Sequence, residues 1–396
     1  MNRRGFLRWG CAQCALLHAA ASQGQGGLSP QPGEPVSPGR AWTMPPRFTA
    51  PDLASDEGGL WALMAREEQR LRRSPFLIRD NKLRDYLQDI LCRLAGPHCP
   101  DVRVYAVRNA NFNANMAPNG MMQVWSGLLL RMDNEAQLAA VVGHEVGHYL
   151  MRHSLERLRD VKSKSAASLV MAPFGLVGLV GQLALAASVF AYSRDQERDA
   201  DSIGVQLMST AGYETSQASI VWENLLAEIA ARPDADATKS SVLFASHPPS
   251  EERRDALRAL GKWEGDKAEQ PFRDQMASWQ LEFLGDELKR GQYEETVALM
   301  DRKLAVEPQR ADYLYCRGEA KRLRGRREDL EQAAADLSLA VTAEGAPPQA
   351  HRSLGLVLRS RQNNAGAAEA FRRYLELAPE APDAGLIKTY IEELQI

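Results

Sequence analysis

A mostly helical α+β fold is what this sequence predicts, and three observations carry that reading. Apolar residues recur every three or four positions over residues 53–94 and again from Glu135 to about Val161, the period of a helix with one buried face. Between these stretches, Val102–Val107 and Met121–Trp125 read as two short strands, enough for a small sheet. From about residue 266 to residue 396 the chain becomes polar, helical and internally repetitive, which sets off an all-α C-terminal part.

Each element has its own signal. Leu83, Leu87, Ile90 and Leu94 line one face of the first helical stretch. Pro118-Asn119-Gly120 is turn chemistry ahead of the second strand. Asn134 caps the helix that follows, with Leu138, Val141, Val142, Val146 and Leu150 on its apolar face. Residues 194–207 are helical again. Ser168 to Tyr192 carries no charge, which is long enough to span a bilayer, but Pro173, Gly175, Gly178 and Gly181 interrupt it. We expect an apolar helical hairpin on or near the preceding helix; peripheral membrane contact or insertion is the alternative.

The chain of 396 residues is too long for one ordinary core. Its hydrophobic fraction of 44% and charged fraction of 25% are those of a folded protein. The net charge is −3 and no basic stripe is present, which argues against nucleic acid as a partner. Asn2-Arg3-Arg4-Gly5-Phe6-Leu7-Arg8, an apolar run from Trp9 to Ala21 and Ala19-Ala20-Ala21 before Ser22 resemble a twin-arginine export signal. Residues 1–21 are therefore expected to be a signal peptide, cleaved near Ala21 on the way to the periplasm. Residues 22–52, rich in Gly, Pro, Ser and Gln, read as a flexible linker. In an oxidising compartment Cys92 and Cys99 are close enough to pair across the Gly96-Pro97 turn, and Cys316 reads as a buried thiol.

The chemistry concentrates in residues 53–265. His144-Glu145-Val146-Gly147-His148 contains H-E-x-x-H. On a helix the two histidines lie one turn apart on one face and can meet a single metal, with Glu145 beside them as a base for water. Two imidazoles and a carboxylate suit zinc and leave a fourth position open. Glu197 is the candidate third ligand. Asp201, one turn later, would orient a ligand imidazole through its second ring nitrogen.

His144 to His153 has the form H-E-x-x-H-x-x-x-R-H, and Glu197-x-x-x-Asp201 follows it. On these residues the chain resembles the gluzincin family that includes the CAAX-prenyl endopeptidases and HtpX. The BepA-like periplasmic members of that family join such a domain to tetratricopeptide repeats. The repeats are matched here over residues 266–396: Gly291, Tyr293 and Pro308 in the first unit, Gly318, Gly325, Ala333 and Ala340 in a looser second, and Leu354, Gly355, Ala367, Phe371 and Pro379 in the third. The resemblance implies one Zn2+ per chain, endopeptidase action on protein and peptide substrates, a role in periplasmic quality control, and outer-membrane assembly machinery as a partner of the repeats. It makes Arg152 and His153 supports of the helix rather than ligands. It also implies that His247, in Ser246-His247-Pro248-Pro249, and Arg253 stand near the oxyanion of the tetrahedral intermediate, or that His247 occupies the fourth zinc position at rest. Asn113-Ala114-Asn115-Met116-Ala117-Pro118-Asn119-Gly120 resembles the segment leading into the strand beside the cleft, which gives Asn113, Ala114, Met122 and Val124 as substrate-binding residues. The chain departs from that pattern at Asn115, where an aromatic is common, and at Asn119, where Gly is common. Two other functional readings stay open: a chaperone-like assembly factor acting mainly through its repeats, and an integral membrane protease.

Overall fold

A computed structural model describes residues 42–164, 192–232, 247 and 250–394. The export signal, most of the linker, all but the last residue of the uncharged run 168–192, and Pro248-Pro249 lie outside the described residues. No helix among the described residues is long and apolar enough to cross a membrane.

The first helical stretch is two helices, α1 (Asp56–Arg73) and α2 (Asn81–Ala95). The break falls where Pro75 disfavours the helical conformation at Ser74, which is extended (φ −65°, ψ 138°). Ser55 caps α1 by accepting from the Gly58 amide at 3.0 Å, and Asp80 caps α2 from the Lys82 amide at 2.7 Å. Leu83, Leu87, Ile90 and Leu94 are all buried on one face of α2. Gly96, at φ 53°, ends α2 and opens a 3₁₀ turn (Gly96–Asp101), within which Cys99 is disulfide-bonded to Cys92. Cys316 is a buried free thiol.

The sheet has three strands, β1 (Arg103–Val107), β2 (Ala114–Met116) and β3 (Met121–Trp125), in the order β1-β3-β2. β3 is central, parallel to β1 and antiparallel to β2, with Ala114 opposite Val124 and Met116 opposite Met122. Glu68 of α1 ties this sheet down. Its carboxylate accepts from Arg103 Nε at 2.9 Å, Tyr105 Oη at 2.7 Å and Asn119 Nδ2 at 3.3 Å. The departure at Asn119 thus has a structural role, since its side chain also accepts from the Met121 amide at 3.2 Å.

A short helix α3 (Ser126–Arg131) leads to α4 (Glu135–Leu150), capped by Asn134, whose side chain accepts from the Gln137 amide at 2.9 Å. The helix predicted to run on to Val161 instead breaks at Met151-Arg152 and restarts as α5 (His153–Lys164). Arg152 is in the left-handed region at φ 58°. Next come α6 (Arg194–Thr210), α7 (Gln217–Ala230) and α8 (Glu251–Leu260). The C-terminal part is helical throughout: α9 (Glu269–Met276), α10 (Gln280–Arg290), α11 (Tyr293–Val306), α12 (Ala311–Arg324), α13 (Asp329–Thr342), α14 (Pro348–Ser360), α15 (Asn364–Leu377) and α16 (Ala384–Glu393).

One apolar core runs from α2 through the sheet, α4, α6 and α7 into α10–α14. A buried ionic cluster bridges residues before and after 265. Arg131 of α3 donates to Glu228 of α7 at 2.7 Å and to Glu287 of α10 at 2.9 Å, with all three side chains buried.

Candidate metal centre

The centre lies where α4 and α6 cross, and small residues let them cross closely. A methyl built on Gly204 of α6 would stand 3.0 Å from the His144 amide nitrogen, and one on Gly143 of α4 would stand 3.2 Å from the Gly204 carbonyl oxygen. Because the backbones touch, residues one turn apart on each helix, His144 and His148 on α4 and Glu197 and Asp201 on α6, converge on one point.

His144 Nε2 and His148 Nε2 are 3.1 Å apart. Glu197 Oε1 lies 3.5 Å from His148 Nε2, and its Oε2 lies 3.6 Å from His144 Nε2. His247 Nδ1 is 3.2 Å from His144 Nε2 and 2.8 Å from Glu197 Oε1. All four side chains are buried, and their donor atoms lie within 4.8 Å of one another. A tetrahedral zinc with bonds of about 2.0–2.1 Å keeps its ligand atoms roughly 3.3 Å apart, so the spacing fits. Among the described residues the buried Glu145 Oε1 has no hydrogen-bond partner, with His247 Nε2 3.7 Å away, and a polar atom so placed needs one.

Protonation favours the same assignment. Burial, with His144 and His247 close by, pushes the His148 pKa well below the usual value, so the ring is neutral, the form that binds a metal. Burial works against ionisation of Glu197, but His247 and Arg253 overcome it and hold its carboxyl well below the usual range. Burial raises the Glu145 pKa, against the opposing pull of His247 and His144 and of a hydrogen bond from the Met116 backbone. Glu145 is therefore a stronger base than an exposed carboxylate.

Asp201 Oδ1 lies 2.8 Å from His144 Nδ1. Arg253 lies at the centre too, against both carboxylates of α6. It donates to Asp201 through Nε at 2.8 Å and Nη2 at 2.7 Å, and its Nη1 lies 2.5 Å from Glu197 Oε2. With these atoms engaged and Trp222 against its face, 4.3 Å from the ring centroid, Arg253 holds the two carboxylates of α6. The expectation for Met122 and Val124 changes. Both belong to β3, which is paired on both sides and so has no free backbone edge for an extended substrate. The edge strands are β1, beside which Leu77 bridges Val107, and β2, where Ala114 sits, with Asn113 immediately before it.

Tyr192 was missed from sequence, and His153, expected only as a support of the helix, reaches a ligand. The Tyr192 ring stacks on His148 at 3.9 Å between centroids, and its hydroxyl lies 2.9 Å from Ser154 Oγ. An aromatic at the end of an uncharged run carries no signal of such a contact. His153 Nδ1 lies 2.9 Å from His148 Nδ1. Beside the histidines is a small cleft, lined on its apolar side by Phe112, Val205, Met208, Val221, Trp222 and Leu257.

Two imidazoles and a carboxylate thus meet on crossed helices, with a third imidazole and a buried glutamate beside them, as a group that could hold a metal ion. Residues 77–261 match the model of Peptidase family M48. Over 162 residues the chain is 30% identical to the mitochondrial metalloendopeptidase OMA1 of Schizosaccharomyces pombe, covering 40% of this chain and 46% of that protein. Over 155 residues it is 30% identical to the metalloprotease YcaL of Escherichia coli, covering 38% and 58%. Over 229 residues it is 27% identical to the beta-barrel assembly-enhancing protease of the same organism, covering 52% and 45%. The chain thus spans about half the length of these curated relatives.

Proposed function

We propose that this chain is a zinc-dependent metalloendopeptidase acting on protein substrates. The observation that carries the reading is the buried group of His144, His148, Glu197 and His247 with Glu145 beside it. His144, His148 and Glu197 would hold the ion, and Asp201 and Arg253 would hold His144 and Glu197 in place. When bound, zinc supplies Lewis acidity to the attacking water and the scissile carbonyl. Glu145 takes a proton from that water and passes it to the leaving amine. The substrate lies extended along β2 near Asn113 and Ala114, with an apolar side chain in the cleft against Trp222 and Leu257. His247 stands as a fourth ligand at rest and withdraws before substrate enters, a latch that keeps the site closed between turnovers.

The wider role is periplasmic protein quality control. The Cys92–Cys99 disulfide supports an oxidising compartment. Residues 266–396 act as tetratricopeptide repeats that recruit clients or outer-membrane assembly machinery. Support comes from the glycines that let paired helices meet: a methyl on Gly355 of α14 would stand 2.4 Å from the Phe371 ring of α15, and one on Gly318 of α12 would stand 2.8 Å from Leu337 of α13.

The deciding experiment is Glu145→Gln. The variant should retain zinc and lose hydrolysis of a casein-type substrate by at least ~100-fold. His144→Ala and Glu197→Gln should instead lower the zinc content of purified protein. Near-normal turnover by Glu145→Gln would overturn the assignment.

A further inference from the structure

An imidazole that binds a metal through Nε2 carries its proton on Nδ1, and that proton needs an acceptor. For His144 the acceptor is the Asp201 carboxylate. For His148 it is a second histidine: His153 Nδ1 lies 2.9 Å from His148 Nδ1, with the two buried rings edge to face, 5.0 Å between centroids and 71° between planes. Five positions along a straight helix would place His153 about 140° around the axis from His148. The break at Arg152 removes that obstacle. Its left-handed backbone, φ 58°, is uncommon for a residue with a side chain, and it turns the start of α5 back toward the site. The turn is held from outside: Glu57 of α1 pairs with the Arg152 guanidinium, which lies 5.1 Å from the Phe48 ring centroid. The next residue, Ser154, holds Tyr192, which covers one face of His148.

We propose that His153 is a positioning residue for the metal ligand His148: it accepts the Nδ1–H hydrogen bond that fixes the tautomer and the angle at which His148 presents Nε2. The proposal rests on the zinc reading above. Unlike the carboxylate behind His144, this acceptor is uncharged, so it orients the ligand without adding negative charge to a site that already buries Glu145, Glu197 and Asp201. His153 acts with its own proton on Nε2. The reverse arrangement, with His153 donating, would leave the proton of His148 on the nitrogen that faces the other ligands.

The test is zinc affinity of the full chain, measured by competition with a chromogenic chelator, for wild type, His153→Phe and His153→Asn. Phe fills the space but cannot accept; Asn offers Oδ1 near the position of Nδ1. Phe should weaken zinc binding by about 10–100-fold and Asn should stay close to wild type. In cobalt-substituted protein the ligand-field bands should shift in the Phe variant and be restored in the Asn variant, a readout that lost packing alone would not give. Unchanged affinity in the Phe variant, or equal weakening in both, overturns the proposal while leaving the peptidase reading intact. A wild-type chain that binds no zinc overturns both.

Discussion

Gly147 and Ala200 pass each other backbone to backbone: a methyl on Gly147 would stand 3.0 Å from the Ala200 carbonyl oxygen and 3.1 Å from its Cα. This contact sets how near α6 comes to α4, and so whether Glu197 reaches the two histidines. Gly147→Ala should therefore cost roughly 1–3 kcal/mol of stability and loosen zinc binding together. Gly59→Ala, in α1 with nothing within 4 Å of the added carbon, is the control and should be neutral to slightly stabilising. Denaturant titration and chelator competition on both variants check this; a Gly147 variant indistinguishable from the control would refute it.

The sign of His247→Ala separates two roles. As a latch at the fourth position, His247 holds the resting site closed, so its removal should raise basal cleavage and self-digestion at full zinc occupancy. As a donor to the oxyanion, its removal should slow cleavage by roughly 10²-fold or more. The proximity of His247 Nδ1 to Glu197 and His144, at 2.8 and 3.2 Å, favours the latch. Reduced cleavage with no rise in self-digestion would rule the latch out.

Glu287→Ala should destabilise the whole protein, although Glu287 lies far from the centre. Its carboxylate accepts from Arg131 at 2.9 Å and Arg290 at 2.7 Å. Truncation leaves these buried guanidinium groups short of a counter-charge, which costs about 3–5 kcal/mol. For the same reason, removing everything after residue 265 should give a chain less stable than the intact protein. A deletion that melts at the intact protein's temperature would contradict this.

Glu68 makes a prediction about acid. Burial pushes its pKa up, but hydrogen bonds from Arg103, Tyr105 and Arg72 outweigh it and bring the value down to about 2, from 4.5. A carboxylate with a depressed folded-state pKa contributes stability that is complete above the unfolded value and is lost as pH falls through the folded one. Glu68→Gln should therefore be less stable than wild type near neutrality, by on the order of 1–3 kcal/mol. The gap should narrow as pH falls from about 4.5 towards 2. Urea midpoints at several pH values measure it; a constant gap would mean that Glu68 is not ionised in the fold.

Much of the scaffold was legible in the sequence because it depends on neighbours along the chain. The buried face of α2, the Asn134 cap and the bounds of β3 follow from periodicity and capping chemistry. The placing of His144 and His148 on one helical face follows from their spacing alone. Other features were decided only by tertiary structure. Ala114–Met116 has little strand propensity and is a strand because it pairs with β3, and that pairing moved the open edge away from Met122 and Val124. Arg253 is taken up by Asp201 and Glu197, two carboxylates more than fifty residues earlier in the chain. The break at Arg152 is held by Glu57 of α1, and it returns His153 to His148 across a spacing that a continuous helix would have kept apart. A local pattern specifies which face a residue occupies, but which group meets it there depends on how distant segments pack, and spacing along the chain does not encode that.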